Sequence, residues 1–290
     1  MKPPSFEYAA PKTVEEAVAL LRQHEGDAKI LAGGQSLMPL LNMRLARPGL
    51  LVDVARIDGL DYVREVDGGL AIGAMARQRS VEHSELVQRR LPLLHTAIRH
   101  IAHPQNRNQG TVGGSLAHAD PAAELPAVAL ALDAELRAFG PAGERRIKAA
   151  DFFVTYLTTA LEPTEVLTEV RFPALPPRTG WSFIELARRH GDFALAGVVA
   201  RLSVDGGGRC SAAQLVLFGV GATPMRARRA EQALAGKKLE TPLFEQAGRM
   251  ASEEIEEPLS DVHASAEYRR DLARVLTRRA LTEAANRAAA

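Results

Sequence analysis

The stretch Lys29-Ile-Leu-Ala-Gly-Gly-Gln-Ser-Leu37 decides how this sequence folds, and a second stretch, Thr111-Val-Gly-Gly-Ser115, shares its main feature. Each contains a glycine pair followed closely by a hydroxyl side chain, near the end of a plausible element. Paired glycines adopt backbone conformations closed to residues with a Cβ, and they let main-chain N–H groups approach a ligand closely. One such pair is often only a turn. Two pairs with matching flanks indicate two loops that grip a long diphosphate ligand from opposite sides.

Composition is that of an ordinary globular protein. The 290 residues correspond to about two domains. A hydrophobic content of 46% is enough to form substantial cores. The 36 Lys and Arg residues almost balance the 35 Asp and Glu residues, so the composition gives no indication of a general nucleic-acid-binding surface.

The single cysteine, Cys210, limits the chemistry that this sequence can hold alone. One thiol excludes an intramolecular disulfide, a four-cysteine zinc site and an iron–sulfur cluster bound by this chain only. The first residues lack the apolar core of a signal peptide, and no apolar run reaches membrane-spanning length. We therefore expect a soluble cytoplasmic protein with no membrane span, while docking of a complex at a membrane stays open.

Hydrophobic periodicity and turn residues predict a mixture of helices and short strands. Thr13 and Glu16 form a capping-box pattern at the start of one helix. The Pro-rich stretch 172–177 is the best internal boundary, and the irregular order of elements favours an α+β fold over repeated βαβ units. The predicted helices are Thr13–His24, Ser80–Arg90, Leu93–Ile101, Asp120–Leu132, two that start at Thr223 and Thr241, and Ala264–Ala285. The predicted strands are 29–31, 50–54, 63–66, 70–72, 135–139, 166–172, 182–186, 195–204 and 214–218.

Other motifs for catalysis are weak. His100-x-x-His103 has a spacing found in metal sites, but Pro104 interrupts the helix that it needs and no third ligand is evident nearby. Gly219-Val-Gly221 lies between a strand and a predicted helix, but Pro224 occupies the place of the third glycine of a dinucleotide fingerprint. No nucleophile motif is present. The sequence therefore favours a protein that positions a cofactor, with the difficult chemistry carried by that cofactor.

Three segments, 29–41, 108–126 and 188–197, resemble the FAD-binding medium subunit of the molybdenum hydroxylases, the carbon monoxide dehydrogenase and xanthine dehydrogenase family. The similarity extends over essentially the whole chain, with the three motifs in order and at the proper spacing. The resemblance implies an α+β fold: a p-cresol-methylhydroxylase-type FAD-binding fold of two subdomains, followed by a smaller C-terminal flavoprotein domain. The implied boundaries are 1–57, 58–175 and 176–290.

The same resemblance implies a set of residues that bind FAD without a covalent bond. The first motif would wrap the diphosphate from one side and the second motif from the other, while His118 and Glu124 would contact the ribityl and ribose region. Other matching positions would line the adenine or flavin pocket. The implied set is Lys29, Ile30, Leu31, Ala32, Gly33, Gly34, Gln35, Ser36, Leu37, Ile101, Thr111, Gly113, Gly114, Ser115, His118, Glu124, Leu167, Asp192 and Phe193.

By resemblance, Asp192 and Phe193 would lie near the isoalloxazine ring, where an aromatic side chain covers one face. The alternative for Phe193 is an ordinary place in the core, given the general preference of phenylalanine for burial. Gln35 stands where carbon monoxide dehydrogenases commonly have histidine. That departure weakens an assignment to carbon monoxide as the substrate without affecting the prediction of FAD binding.

The function implied by the family is electron transfer. A molybdopterin large subunit would hydroxylate the substrate, a small subunit with [2Fe-2S] clusters would pass the electrons on, and FAD on this chain would deliver them to an external acceptor. None of the catalytic or metal-binding residues would lie on this chain. Two alternatives stay open: a stand-alone FAD-dependent reductase or oxidase of the same fold, and a flavin-free assembly subunit.

Overall fold

The computed structural model describes residues 2–289, which begin with a small parallel sheet. Its strands β1 (Glu7–Ala9), β2 (Ala28–Leu31) and β3 (Leu50–Asp53) lie in the order β1-β3-β2, with helices α1 (Val14–Gln23) and α2 (Leu37–Asn42) between them. The Thr13 hydroxyl caps α1 by accepting a hydrogen bond from the Glu16 N–H at 3.1 Å, as predicted. The Glu16 carboxylate accepts from the Lys12 N–H at 2.8 Å instead of closing the box at Thr13.

An antiparallel five-stranded sheet follows, in the order β4-β5-β10-β6-β7. The predicted hairpin around Gly68 forms β4 and β5, because Gly68 has a φ of +78° that suits a tight turn. A separate two-stranded hairpin, β8 and β9, precedes the last strand. The strands of this region are β4 (Val63–Val66), β5 (Gly69–Gly73), β6 (Glu135–Gly140), β7 (Gly143–Lys148), β8 (Phe153–Thr155), β9 (Thr158–Thr159) and β10 (Val166–Pro173).

Short helices fill the connection between β5 and β6. They are α3 (Gln78–His83), α4 (Glu85–Arg90), α5 (Pro92–Ile98), α6 (Pro104–Gln109), α7 (Val112–His118) and α8 (Glu124–Ala131), with α9 (Ala149–Phe152) after β7. The prediction of one helix over 80–90 is wrong, because Ser84 leaves helical geometry with ψ 114°. Its hydroxyl caps α4 by accepting from the Val87 N–H at 3.3 Å, so two helices meet there.

The C-terminal region is an antiparallel sheet covered by three helices. The strands are β11 (Thr179–Ala187), β12 (Ala194–Val204), β13 (Cys210–Phe218) and β14 (Met225–Arg226), in that order, and the helices are α10 (Arg228–Leu234), α11 (Thr241–Glu253) and α12 (Ala266–Ala289). Helix α12 lies directly on the sheet: a Cβ on Gly180 would be 1.9 Å from the Ala284 carbonyl oxygen. Every residue of β12 is buried, because both faces of the sheet are covered.

Two helix starts predicted from capping residues are wrong. The helix expected at Asp120 begins at Glu124, since the Asp120 carboxylate accepts from the Ala122 N–H at 2.9 Å in a local turn. The helix expected at Thr223 begins at Arg228, because Met225 and Arg226 pair with β13 as strand β14. The start at Thr241 is confirmed.

The fold class is confirmed as α+β, with one parallel and two larger antiparallel sheets. Within the described range, 2–289, no helix has the combination of length and apolar character required to cross a bilayer.

Candidate FAD-binding site

The first glycine pair lies in the connection from β2 to α2, where the chain makes a sharp change of direction. Gly34 has a φ of +71°, a conformation that a side chain rarely adopts. The N–H groups of residues 33–37 donate no hydrogen bond to any acceptor within residues 2–289. Five consecutive free donors form a cradle suited to an anion, since backbone N–H groups require an acceptor when a ligand excludes water from them. We call residues 33–37 the N–H cradle.

Packing against the backbone of another segment, and not contact with a phosphate, requires glycine at position 33. A Cβ at this position would lie 2.2 Å from the Gln109 carbonyl oxygen and 2.8 Å from the Gly110 Cα, both main-chain atoms. Side chains of the same two segments are also in contact: the Asn106 amide donates a hydrogen bond to Gln35 Oε1 at 3.2 Å. The end of α6 therefore packs directly on the N–H cradle.

The second glycine pair is helical, so the prediction of a second loop is wrong. Thr111 caps α7, and Gly113 and Gly114 form its first turn. The N–H of Val112 donates to the Ala76 carbonyl at 3.0 Å, that of Gly113 to the Ala74 carbonyl at 2.8 Å, and that of Gly114 to the Thr111 hydroxyl at 3.0 Å. These donors already have acceptors. The Thr111 hydroxyl is buried and caps α7, whereas Ser115 is partly exposed.

The glycines of the second motif allow α7 to pack closely on its neighbours. A Cβ on Gly113 would lie 2.5 Å from the Ala74 Cβ, whereas a Cβ on Gly114 would lie 3.4 Å from the Ala32 Cβ and 2.7 Å from the Thr111 hydroxyl. Gly114 and Ala32 therefore face each other across the meeting point of the two motifs. The structure brings the two glycine motifs together, as the sequence predicted.

Helix α6 connects the N–H cradle to the 188–193 loop between β11 and β12. At its C-terminal end Gln109 contacts Gly33, and at its N-terminal end His103 contacts Gly191, where a Cβ would lie 2.6 Å from His103 Cε1. The six residues of α6 span about 9 Å at 1.5 Å per residue. That separation suits a ligand with its diphosphate at one end of the helix and a ring system at the other.

The 188–193 loop presents its residues to solvent. Phe193 is 69% exposed, which excludes the alternative of a core phenylalanine, and Asp192 is also exposed. The Phe193 ring is therefore accessible to a ligand beside the N-terminal end of α6, where Gly191 of the same loop contacts His103. Of the remaining sequence-predicted residues, Leu167 lies inside the hydrophobic core, Ile101 packs partly against it, and Lys29 is exposed.

Two titratable side chains of the predicted set have altered pKa values. Burial lowers the pKa of His118, at the end of α7, against the opposing charge of Asp120. Burial and then the charge of Glu185 raise the pKa of Glu124, at the start of α8, to about 8. His118 is therefore favoured as a neutral imidazole and Glu124 as a neutral carboxylic acid at pH 7.

No sequence motif marks the residues that support this site from α6 and α3. Arg107 donates from Nε to Glu82 at 2.9 Å and from Nη1 to the Ile101 carbonyl at 2.7 Å, and both side chains of the pair are buried. No local pattern marks Arg107, since its partner lies on another helix. His100 and His103 do not face a common site: His100 contacts Glu185 at 3.2 Å, and His103 contacts Gly191. Residues 2–289 contain no group of three side chains placed to hold a metal ion.

An α+β chain with an N–H cradle at one end of α6 and an exposed phenylalanine in the loop that packs on the other end has the features of a flavoprotein. Residues 4–175 match the family described as FAD binding domain in molybdopterin dehydrogenase, and residues 181–284 match the CO dehydrogenase flavoprotein C-terminal domain. The chain belongs to this family, the FAD-binding medium subunits of the molybdenum hydroxylases.

Relatives of known identity match over nearly the full length. The chain is 44% identical to the 6-hydroxypseudooxynicotine dehydrogenase complex subunit alpha of Paenarthrobacter nicotinovorans, covering 99% of this chain and 97% of that subunit. It is 42% identical to the carbon monoxide dehydrogenase medium chain of Hydrogenophaga pseudoflava, covering 98% of each. A solved structure of carbon monoxide dehydrogenase from the same organism superposes with a TM-score of 0.96 over 99% of both chains, at 42% identity. The predicted family and fold are confirmed.

Proposed function

We propose that this chain holds one FAD, without a covalent bond, along α6 between the N–H cradle and the 188–193 loop. The observation that carries the proposal is the set of five backbone donors at 33–37 that have no acceptor in the described chain. They would bind the diphosphate, while the hydroxyl groups of Thr111 and Ser115 would donate from the opposite side. Bound FAD supplies a centre that accepts electrons one at a time and releases them to a second partner.

The other residues of the predicted set would also contribute to FAD binding. Gly33, Gly113 and Gly114 allow the backbone to approach closely, and Asp192 and Phe193 would border the flavin ring. His118 and Glu124 would meet the ribityl and ribose region, with the pKa values of both altered by burial. Ile30, Leu31, Ala32, Gly33, Gly34, Gln35, Ser36 and Leu37 would wrap the diphosphate. The positions proposed to line the adenine or flavin pocket are Lys29, Ile101 and Leu167.

We also propose the division of labour expected for the family. A small subunit with [2Fe-2S] clusters would deliver electrons to this chain, a large molybdopterin subunit would oxidise the substrate, and an external acceptor would take the electrons away. The single cysteine of the sequence supports this arrangement, since Cys210 is buried and cannot assemble a cluster alone. The same unpaired thiol supports a cytoplasmic location.

We further propose domain boundaries at 57/58 and 175/176. The parallel sheet spans residues 7–53, the five-stranded sheet 63–173 and the C-terminal sheet 179–226, so each sheet falls within one of the three ranges.

The division of labour predicts that the chain expressed alone is yellow but inactive. It should carry about one FAD, released intact by acid, and should oxidise none of the substrates that a molybdenum hydroxylase accepts. Activity should appear only after the small and large subunits are added. Steady-state assays of the isolated chain and of the reconstituted complex measure this, and substrate oxidation by the isolated chain would favour the stand-alone oxidase instead.

Phe193→Ala is expected to change the reactivity of the flavin while leaving FAD content nearly intact. The N–H cradle is untouched, but the side chain proposed to limit access to the ring is lost. Stopped-flow reoxidation of the reduced protein by oxygen and by a quinone should become faster. Tyr156→Ala removes another exposed aromatic ring, from the turn between β8 and β9, and should leave the rates unchanged. Unchanged rates in Phe193→Ala would remove Phe193 from the proposed site.

A further inference from the structure

The 188–193 loop places its first and last residues side by side. Ala187 and Ala194 are the last residues that β11 and β12 pair at this end of the sheet. The chain therefore leaves the sheet at Arg188 and returns at Phe193, with these two stems about 5 Å apart, the spacing of antiparallel neighbours. Whatever fixes the two stems also fixes the backbone that carries Phe193.

Arg269, on α12, is a buried cation that joins three acceptors beside the second stem. It is only 3% exposed. Its Nη1 donates to the Leu195 carbonyl and, at 2.7 Å, to the Gly219 carbonyl, and its Nη2 donates to Asp261 Oδ2 at 2.6 Å. The two carbonyls lie beyond the last pair of β12 with β13, so the ladder between these strands offers them no donor. Arg269 therefore holds the backbone two residues after Phe193.

The Asp261 carboxylate connects Arg269 to the first stem of the loop through His263. Asp261 Oδ1 accepts from the N–H of His263 at 2.8 Å and from that of Ala264 at 3.0 Å. His263 Nδ1 lies 2.8 Å from Arg188 Nη1, and it accepts this hydrogen bond because an arginine side chain can only donate. Both stems are thus bonded to one group of side chains. We call Asp261, His263 and Arg269 the clamp.

Arg269 is the central member of the clamp. The Asp261 side chain is 46% exposed and His263 is also exposed, whereas Arg269 is buried. Within residues 2–289 the Arg269 Nε has no acceptor, so the guanidinium acts through its two Nη atoms. Lysine cannot replace it in this role, because a compact ammonium lacks the planar fork that reaches separated acceptors.

We propose that the clamp positions the 188–193 loop beside the bound flavin and thereby limits how fast external acceptors take its electrons. This inference rests on the proposed FAD site, in which Phe193 borders the flavin ring. The clamp residues are positioning residues that act through the loop backbone and need no contact with the flavin. Gly191 at the tip of the loop contacts His103, so α6 holds the tip while the clamp holds the stems. Loss of the clamp should free Phe193 and leave the N–H cradle in place.

The first test measures how often the loop opens, by limited digestion with trypsin, which cuts after Arg188 and Arg189. Cleavage reports the population of opened conformations. Arg269→Lys should be cut in the loop at least about tenfold faster than wild type, because hydrogen bonds from a charged donor are lost from the closed state. Asp261→Asn removes a half-exposed charge and should be cut about threefold faster. His263→Ala frees the first stem alone and should also be cut faster than wild type.

Two controls separate opening of the loop from general instability. Cleavage after Arg44 is the internal reference, since Arg44 lies in the exposed connection between α2 and β3 and outside the C-terminal sheet. Arg274→Lys is the matched variant, because Arg274 lies on the same helix in an exposed pair with Asp271 at 3.5 Å. Mass spectrometry identifies each cut, and the Arg274→Lys variant should match wild type at both sites. The exposed positions of Asp261 and His263 keep the test decisive even where Arg269→Lys folds poorly.

The second test determines whether the clamp acts through Phe193. In the FAD-loaded chain, the reduced flavin of Arg269→Lys and of Asp261→Asn should be reoxidised by oxygen and by a quinone faster than that of wild type. Combined with Phe193→Ala, either change should add nothing further, because the side chain that the clamp positions is absent. A purely structural effect would instead add in both backgrounds.

The outcomes separate the clamp from the FAD site itself. Faster loop cleavage, faster reoxidation and non-additivity with Phe193→Ala would together support the clamp. Equal reoxidation rates in flavin-loaded wild type, Arg269→Lys and Asp261→Asn would overturn the clamp and leave the proposed function intact. Loop cleavage that rises no more than cleavage after Arg44 would do the same. A wild-type chain that binds no flavin would overturn both.

Discussion

Gly33→Val is expected to abolish FAD retention and yield a colourless protein. The Cβ alone would lie 2.2 Å from the Gln109 carbonyl oxygen, and neither backbone can yield without moving the N–H cradle away from α6. Overpacking of this kind costs about 1–3 kcal/mol. A displacement that misaligns five donors at once adds to this cost, so the variant should no longer retain FAD through gel filtration. The ratio of flavin to protein absorbance after gel filtration measures the loss.

Gly206→Val is the matched control. Gly206 lies in the turn between β12 and β13, and a Cβ there would meet no atom within 4 Å. This variant should keep wild-type FAD content and circular dichroism. Gly114→Val should also lose FAD, by a different route, since its Cβ would lie 2.7 Å from the Thr111 hydroxyl that caps α7. Full FAD occupancy in Gly33→Val would rule out the N–H cradle as the diphosphate site.

Arg107→Met is expected to lower the free energy of unfolding by about 3–5 kcal/mol, the usual cost of breaking a buried ion pair. It leaves the buried Glu82 carboxylate without its main partner and the Ile101 carbonyl without its donor. Helix α6 then loses its anchor, so FAD content should fall as well. Urea denaturation monitored by circular dichroism measures the stability change.

Two comparisons make this result specific. Arg89→Met removes the same side chain from an exposed pair with Glu85 and should cost only about 0.5 kcal/mol or less. Burial opposes ionisation of Glu82, but hydrogen bonds from Arg107 and Arg79 outweigh it and lower its pKa. The contribution of this pair is therefore fully present above the ordinary carboxyl pKa and is lost as the pH falls through the lowered value. Equal losses of stability in Arg107→Met and Arg89→Met would show that burial of the pair has no importance.

Local patterns in the sequence predicted most strands and the fold class. Alternating apolar residues and the Asp67-Gly68-Gly69 turn suffice for the hairpin of β4 and β5, since its partners are close in the chain. Capping signals failed where a competing interaction was available. At Asp120 the carboxylate closes a local turn, and after Thr223 the chain pairs with β13. Both alternatives use the same residue types as a helix start, so composition alone cannot separate them.

The sequence predicted that the two glycine motifs lie together, but it did not predict the physical reason for each glycine. Both glycine motifs meet, but the second begins a helix, and the first N–H groups of that helix donate to the carbonyls of Ala74 and Ala76, far away in sequence. Gly33 is a glycine because of Gln109, a contact that only the folded chain creates. Phe193 could equally have been a core residue, because phenylalanine is usually buried and no local signal marks the exception. Contacts between residues far apart in the sequence determine these features of the site.

Helix α6 also sets where this chain can change length during evolution. One residue inserted between His103 and Gln109 would lengthen the helix by about 1.5 Å and rotate everything after it by about 100°. The contact with Gly33 or the contact with Gly191 would then be lost, whichever end stayed fixed. The turn at 205–208 has no such restriction, since Cβ atoms at Gly206 and Gly208 would meet no neighbour within 4 Å. Insertions and deletions should therefore be tolerated at the 205–208 turn and selected against in α6.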